Sequence, residues 1–235
     1  MDTSPYQEFA KEKLGFEFND INLLVTALTH RSYVNEHKSA HEHNERLEFL
    51  GDAVLELVSS DFLYRNYNEP EGLMTALRAA LVRTESIGDA GKELGYEPLV
   101  RLSRGEKHGS DRAHDVILAD CFEAVIGAIY LDQGYDAAKE FISKHILVKI
   151  DQILEEGSWR DAKSYMQELA QKIDGITPVY KTIREEGPDH DKMFTVGVYV
   201  GDTLKGTGTG HSKQEAQTMA AREGVKLYRK EHKDI

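Results

Sequence analysis

Four carboxylates interrupt two otherwise apolar helical segments of this 235-residue chain. Residues 44–55 read NERLEFLGDAVL and contain Glu48 and Asp52, and residues 118–131 read LADCFEAVIGAIYL and contain Asp120 and Glu123. A buried charge is costly unless a partner offsets it. A hard divalent cation is a natural partner, because it prefers oxygen ligands and relieves the repulsion between acids. These segments therefore constrain both the fold and the chemistry of the chain.

The acids of the first segment fall on one face of a helix. At about 100° per residue, Glu45, Glu48 and Asp52 lie within about 60° of one another. The opposite arc is apolar and consists of Leu47, Leu50, Val54, Leu57 and Val58. This pattern fits a solvated acidic face as well as it fits a functional site. Phe49 lies beside the acids, where it is either ordinary core or an aromatic side chain offered to a partner subunit.

The second segment favours a functional site. Asp120 and Glu123 are the only charges between residues 116 and 131, and Gly127 continues their face and leaves room beside it. A helix that is apolar all round is normally buried, so these acids indicate either a metal or a buried pair with Arg or Lys. If the two helices pack face to face, four carboxylates converge. Oxygen-only ligands favour Mg²⁺ or Mn²⁺ over zinc.

Acids that hold magnesium suit phosphoryl chemistry. A metal with open water positions activates a water and stabilises the charge that develops on the phosphate and the leaving oxygen. The sequence contains no Walker A loop and no dinucleotide fingerprint, so hydrolysis of a phosphodiester is the simplest prediction. His41 and His43 offer an alternative site for zinc, although a polar loop is the better interpretation of these histidines.

Charge is distributed unevenly along the chain, which predicts two domains with different roles. The net charge of −12 argues at first against a nucleic-acid partner. Residues 1–159 carry 16 basic and 29 acidic side chains, whereas residues 160–235 carry 13 basic and 12 acidic side chains. Residues 205–235 alone have a net charge of +3. An acidic first half is thus joined to a nearly neutral second half with a basic end.

Cysteine usage and the absence of targeting signals predict a cytoplasmic protein. The single cysteine, Cys121, excludes an internal disulfide and fits a reducing compartment. Its apolar flanks predict a buried thiol rather than a nucleophile. No apolar run approaches the length of about 20 residues that spans a bilayer, and the N-terminus lacks the basic-then-apolar order of a signal peptide.

Two kinds of periodicity divide the chain. Helical spacing of apolar residues predicts an all-α domain over residues 1–154, and EEGSWR at 155–160 is the best candidate for a linker. From residues 161 to 231 the predicted order is α-β-β-β-α, with strands over 178–184, 193–200 and 202–209. Asp161 is the expected cap of the first helix of this domain, and a capping box from Ser212 to Glu215 opens the last.

Two features of the second domain indicate a nucleic acid. Ser164, Gln167 and Gln171 share a polar helical face, and such side chains suit the shallow minor groove of duplex RNA. Residues 206–213 read GTGTGHSK and bring backbone amides, Lys213 and a helix N-terminus together, a combination that attracts phosphates. A glycine-rich segment is often only a turn. The occurrence of both features in this order along the chain is therefore more specific than either feature alone.

The motifs resemble those of bacterial ribonuclease III. NERLEFLGDAV is similar to the signature of that family and LADCFEAVIGAIYLDQG to its second acidic motif, and LTHRSY and EGLMTALRAALV also fit. The second part resembles a double-stranded-RNA-binding domain through KSYMQE, GPDH and GHSKQEA. The resemblance implies an all-α endonuclease domain followed by an α-β-β-β-α RNA-binding domain.

The activity implied by this resemblance is cleavage of both strands of duplex RNA by a Mg²⁺-dependent homodimer, with Mn²⁺ as a substitute. The products would carry 5′-phosphates and two-nucleotide 3′ overhangs, and ribosomal RNA precursors and other structured transcripts would be substrates. The resemblance implies that the metal is held by Glu48, Asp120 and Glu123 and that the catalytic residues are Asp52 and Glu123. It also implies supporting acids around the cleft, Glu45 and Glu71, and a dimer contact at Phe49.

The same resemblance assigns roles in the RNA-binding domain. Ser164, Gln167 and Gln171 would face the minor groove, His190 would lie in a loop between strands, and Lys213 would meet phosphates. Gln214 stands where such domains often have a second lysine, and the domain is nearly neutral, which together predict weaker and more salt-sensitive binding by this domain alone.

Two other functions compete with this interpretation. A non-enzymatic binder of duplex RNA would keep the second domain and lack cleavage. A metal-dependent hydrolase of small phosphate compounds would make the second domain incidental, and its activity would survive truncation at Ser158.

Overall fold

The chain folds into two compact units, Met1–Trp159 and Arg160–Ile235. The computed structural model describes residues 2–37, 40–157, 159–188 and 192–232. The first unit is helical, and the second consists of a three-stranded antiparallel sheet and two helices. The predicted fold class is therefore confirmed. No described helix combines the length and the apolar character that spanning a membrane requires.

The first unit is built from α-helices joined by short turns. Its described helices are α1 (Ser4–Phe9), α2 (Ile21–Ala27), α3 (Arg31–Glu36), α4 (Glu45–Asn66), α5 (Glu71–Leu81), α6 (Thr84–Leu94), α7 (Asp111–Gln133), α8 (Tyr135–His145) and α9 (Ile150–Glu156). Helix α9 extends two residues into the segment predicted as a linker, and Gly157 ends it in a left-handed conformation with φ 62°. The positions of the domain boundaries stay predictions.

The centre of the first unit is the crossing of α4 and α7, where two glycines let the backbones touch. A Cβ atom at Gly51 would overlap the backbone carbonyl oxygen of Glu123, and one at Gly127 would overlap the carbonyl oxygen of Leu47. Protein interiors are close-packed, so no larger residue fits at either point without moving a helix. The crossing therefore lies at the level of the acids on both helices.

The apolar arc of α4 packs into the core, with one exception. Leu47, Val54 and Val58 are buried, whereas Leu57 is 58% exposed. Leu57 therefore belongs to the apolar arc without being covered by the core of its own chain. Consecutive residues of a helix are about 100° apart, so Leu57 and Val58 lie at opposite edges of the arc and Val54 lies near its middle.

The second unit has the predicted order of elements. These are α10 (Ala162–Asp174), β1 (Val179–Glu186), β2 (Met193–Val200), β3 (Thr203–Gly210) and α11 (Lys213–Glu231), with β2 in the middle of the sheet. Both predicted caps form. The Asp161 carboxylate accepts from the Ser164 amide at 2.8 Å, and Ser212 Oγ accepts from the Glu215 amide at 3.1 Å.

The glycine-rich segment before α11 is a strand rather than a phosphate-binding loop. Gly206, Gly208 and Gly210 all lie in β3, and a Cβ atom at any of them would meet residues of α11. Alternate residues of a strand point to the same face, so the three glycines let the helix pack directly on the sheet. Only the start of α11, at Lys213, remains as a candidate contact for phosphate.

The helix crossing makes a stability prediction. Gly51→Ala forces α4 and α7 apart, and we expect the free energy of unfolding of the protein to fall by about 3 kcal/mol or more, as in severe overpacking. Gly72→Ala is the matched control, because Gly72 lies in α5 with open space around it; it should be neutral or stabilising by up to about 1 kcal/mol. Urea unfolding followed by circular dichroism measures both, and equal effects would contradict the proposed role of the crossing.

Candidate active site

The four acids of the two motifs share one electrostatic neighbourhood at the crossing of α4 and α7. Burial, followed by the negative charges of Asp52, Glu48 and Asp120, raises the pKa of Glu123 to about 8. Such a shift means that the carboxylate form of Glu123 is disfavoured in the absence of a cation. The structure therefore brings together the acids that the sequence singled out.

The same surroundings also shift the pKa values of Glu48 and Asp120. Burial raises the pKa of Glu48, and Asp120, Glu45 and Asp52 raise it further. Burial also raises the pKa of Asp120, while the nearby His30 imidazole lowers it. Within the described chain, no arginine or lysine is among the groups that shift the pKa of Glu48, Asp120 or Glu123. A buried pair with a basic residue, the alternative left open by the sequence, is therefore not formed here.

Glu45 lies at the margin of this group. Its Oε1 atom is 3.4 Å from a guanidinium nitrogen of Arg31, and its Oε2 atom is 3.8 Å from Nδ1 of His43. The Glu45 carboxylate therefore has basic side chains close to it, whereas no arginine or lysine is among the groups that shift the pKa of Glu123. His43 is close to this carboxylate without a hydrogen bond to it, and residues 41–43 have no regular secondary structure, as a loop would have.

Glu71 is not among the groups that shift the pKa of Glu48, Asp120 or Glu123 within the described chain. It lies exposed in the first turn of α5, where it accepts a hydrogen bond from Thr75 Oγ1 at 3.1 Å. It borders a pocket between α4 and α5 whose lining includes Leu57, Tyr64 and Met74.

Glu56 and His30 also act on the acids, although the motifs did not single them out. Glu56 raises the pKa of Glu123, and its own carboxylate lies 2.9 Å from Nε of Arg78. Its spacing was a usable signal, because Glu56 follows Asp52 by four residues and continues the acidic face. His30 had no such signal, because its closeness to Asp120 depends on tertiary packing.

The chemistry of the donors fits a hard divalent cation, although no ready-made cage is present. Among the residues that the structure describes, no three His, Cys, Asp or Glu side chains are gathered closely enough to hold an ion. All four acids nevertheless offer oxygen, which Mg²⁺ prefers. The raised pKa of Glu123 also reflects an excess of negative charge that a cation would offset.

Phe49 is not a core residue. It is 80% exposed, and Leu57 and Tyr64, which follow at helical spacing, are 58% and 78% exposed. We call these three side chains the α4 stripe; it runs beside the acidic face of the same helix. Large exposed apolar side chains that follow one line along a helix are a candidate interaction surface.

Cys121 lies between the acids but has no reactive thiol. It is fully buried, and burial raises the pKa of its thiol to about 12. A thiol that stays protonated is a poor nucleophile. The prediction of a buried cysteine is confirmed, and the raised pKa supports the expectation that it is not a nucleophile.

In the second unit, the predicted RNA-facing residues of α10 lie on its exposed side. Ser164, Gln167 and Gln171 are exposed, and Met166 and Leu169 are buried on the other side of the helix. Lys213 is exposed at the start of α11, where its Nζ atom lies 2.8 Å from a carboxylate oxygen of Glu185. His190, the predicted loop residue, lies outside the described residues.

Fold and site together define a helical nuclease unit with an acidic centre, followed by a unit that binds duplex RNA. Two family models match these units: "Ribonuclease-III-like" over residues 20–150 and "Double-stranded RNA binding motif" over residues 162–228. The first match alone spans more than half of the chain.

Known proteins agree with both matches. Ribonuclease 3 of Enterococcus faecalis is 44% identical over 221 residues, covering 92% of this chain and 94% of the relative. Ribonuclease 3 of Oceanobacillus iheyensis is 43% identical over 230 residues, covering 96% and 97%. The solved nuclease domain of a ribonuclease III from Campylobacter jejuni is 40% identical with a TM-score of 0.53, covering 59% of this chain and 96% of that domain. The chain belongs to the ribonuclease III family of endoribonucleases.

The raised pKa of Glu123 predicts a pH-dependent penalty on folding. Its pKa rises from 4.5 to about 8 on folding, so the folded state holds this proton more tightly and stability falls as the pH rises between those values. In EDTA, Glu123→Gln should therefore raise the Tm relative to the native protein at pH 8.5 and not at pH 4.5. Thermal unfolding at both pH values checks this, with Glu12→Gln, an exposed site near the N-terminus, as the control. A Tm difference independent of pH would contradict it.

Proposed function

We propose that this protein is a Mg²⁺-dependent endonuclease that cleaves both strands of duplex RNA. The products would be 5′-phosphomonoesters with 3′-hydroxyl, two-nucleotide overhangs. The observation that supports this most strongly is the grouping of Glu48, Asp52, Asp120 and Glu123 around one helix crossing. Expected substrates are structured transcripts in the cytoplasm, including precursors of ribosomal and transfer RNA and messenger RNA.

In this proposal Glu48, Asp120 and Glu123 hold the cation, with Mn²⁺ as the expected substitute for Mg²⁺. The bound metal would activate a water and neutralise charge on the phosphate and the leaving oxygen. The three carboxylates are partly buried, which strengthens their attraction for a cation compared with fully solvated acids. Their mutual repulsion, visible in the raised pKa of Glu48 and Glu123, adds to that attraction.

Asp52 and Glu123 are proposed as the catalytic residues. Asp52 is exposed on the open side of the group, so its carboxylate oxygen is accessible to an attacking water and to its proton. Glu123 lies deeper and is surrounded by the other acids. One residue near solvent and one near the centre thus suit the two tasks of receiving a proton and holding the reacting groups in place.

We also propose that the active enzyme is a homodimer in which the α4 stripe lies at the interface. The Campylobacter jejuni nuclease domain, a structural relative, has a region involved in dimer formation. In a two-fold dimer the same patch serves both subunits. Phe49 of one subunit would then enter the pocket that Leu57, Tyr64 and Met74 line in the other.

This arrangement would also give Glu71 a place in the cleft. Glu71 borders the same pocket, and Phe49 is adjacent in sequence to Glu48. A partner's Phe49 seated there would bring the acidic face of its α4 towards Glu71. Glu71 would then take the supporting role in the cleft that the resemblance implies.

The second unit is proposed to deliver the duplex. Exposed Ser164, Gln167 and Gln171 suit hydrogen bonds to 2′-hydroxyls and base edges in the minor groove. Lys213, together with the N-terminal amides of α11, suits a phosphate across the neighbouring groove. His190 is proposed to contact RNA from the loop between β1 and β2. A separate binding surface is needed because the acidic centre repels phosphate.

Cleavage of a perfect RNA duplex tests the enzymatic proposal. Glu123→Gln should lower the rate with Mg²⁺ by about a hundredfold or more, because it removes a charged ligand at the metal. Binding of the duplex, measured by gel shift in EDTA, should be unchanged, and Glu12→Gln should cut normally. If the native protein and Glu123→Gln both bind and neither cuts, the protein is a binder rather than an enzyme.

Placing a charge on the α4 stripe tests the dimer. Phe49→Asp should weaken dimerisation by about thirtyfold or more, the effect expected for an aromatic anchor worth about 2 kcal/mol. Val148→Asp is the matched control, because Val148 is 67% exposed but lies outside the stripe. Sedimentation velocity at several concentrations measures both variants. A native protein that stays monomeric throughout, or a Phe49→Asp protein that dimerises normally, would refute the proposal.

A further inference from the structure

Asn44, the residue before α4, is an unusual polar residue because it is almost completely buried. It is 1% exposed, and only Thr29 and Ser59 are as deeply buried among the polar and charged residues that the structure describes. A buried amide is expensive unless it makes hydrogen bonds. The hydrogen bonds of Asn44 therefore indicate which structural role this buried residue has.

The side chain of Asn44 does not do what its position predicts. Asparagine at an N-cap usually accepts a hydrogen bond from an amide of the first helical turn. Asn44 is the N-cap of α4, yet its side chain makes no capping hydrogen bond, and its backbone is already helical with φ −70° and ψ −23°. By contrast, Asp20 and Ser110, which precede α2 and α7, use their side chains as caps. The side-chain amide of Asn44 is thus available for hydrogen bonds outside the first turn of α4.

The side-chain amide of Asn44 contacts helix α7. Nδ2 of Asn44 donates to Sγ of Cys121 at 3.7 Å, and Cys121 is the residue after Asp120. The backbone carbonyl of Asn44 accepts from the amide of Glu48 at 2.9 Å. One residue therefore bonds to the backbone of one proposed metal ligand and to the immediate neighbour of another.

A third contact fixes Asn44 itself. Its backbone amide donates to the carbonyl oxygen of Thr29 at 2.9 Å. Thr29 is also buried, and its hydroxyl donates to the Val25 carbonyl and accepts from Arg101. The start of α4 is therefore anchored on one side to the segment that follows α2 and on the other side to α7.

We propose that Asn44 is a positioning residue for the acidic centre, and that its buried link to Cys121 sets the separation between Glu48 and Asp120. This inference rests on the proposed use of Mg²⁺ by these acids. Mg²⁺ demands nearly ideal octahedral geometry, so a small change in that separation weakens its binding. Residues that orient metal ligands typically contribute a factor of about 10–100 to metal affinity.

The decisive measurement is the response of the full chain to Mg²⁺, read in two ways. One is the Mg²⁺ concentration that gives half of the maximal rise in Tm, and the other is the concentration that gives half of the maximal cleavage of duplex RNA. Asn44→Ala should raise both concentrations about tenfold. At saturating Mg²⁺ most of the cleavage rate should return, and binding of RNA in EDTA should be unchanged.

Ser59→Ala is the matched control for simple loss of packing. Ser59 is also fully buried on α4, its hydroxyl makes no hydrogen bond within the described residues, and it lies about four turns from Asn44. This variant should leave both Mg²⁺ concentrations as in the native protein, whatever its effect on the Tm.

Cys121 supplies a second, independent test from the other helix. Cys121→Ala removes the acceptor and should raise the Mg²⁺ concentrations as Asn44→Ala does, while Cys121→Ser keeps an acceptor and should restore them. The double variant Asn44→Ala with Cys121→Ala should add nothing to either single change, because both remove the same contact. Cys121→Ala decides the matter if Asn44→Ala does not fold.

The outcomes separate this inference from the proposed function. If the native protein shows no Mg²⁺-dependent cleavage and no rise in Tm, the proposed function fails. If the native protein responds while Asn44→Ala and Cys121→Ala respond at the same Mg²⁺ concentrations, the proposed function stands and the positioning role of Asn44 is refuted.

Discussion

Direct contact between the backbones of α4 and α7 is the constraint on which the rest of the first unit depends. Gly51 sits against the carbonyl of Glu123, and Gly127 sits against the carbonyl of Leu47. Side chains on either side of so close a crossing have little room to move apart. The carboxylates would repel one another in solution. Van der Waals packing of the two main chains keeps them together, and this packing does not depend on whether the carboxylates are charged.

The sequence predicted the elements and the acidic group because both depend on local spacing. Helical periodicity, two caps and the acids at three- and four-residue intervals are all visible along the chain. Glu71 and the link from Asn44 to Cys121 were not accessible in this way. The position of Glu71 depends on how α5 packs beside α4, and an asparagine before a helix is normally interpreted as a cap.

Misinterpretations of the sequence had similar physical origins. The strand predicted over residues 202–209 forms, but its glycines also suggested a phosphate-binding segment, because glycine content alone does not show that a helix packs closely on a strand. Leu57 belongs to the apolar arc of α4 and is nevertheless exposed, because burial at the edge of that arc is decided by the neighbouring helices. In both cases the sequence specified which residues were small or apolar, and tertiary packing decided what covered them.

The ion pair between Lys213 and Glu185 has a consequence for how binding of RNA would respond to salt. In the free protein this lysine already has a carboxylate as its counterion. A phosphate that takes its place leaves Glu185 to recruit a cation from solution, which offsets part of the cation release that normally drives association with nucleic acid. The exchange of one fixed anion for another would make affinity fall less steeply with ionic strength than the number of basic residues suggests, which is the opposite of the salt-sensitive binding expected from the sequence.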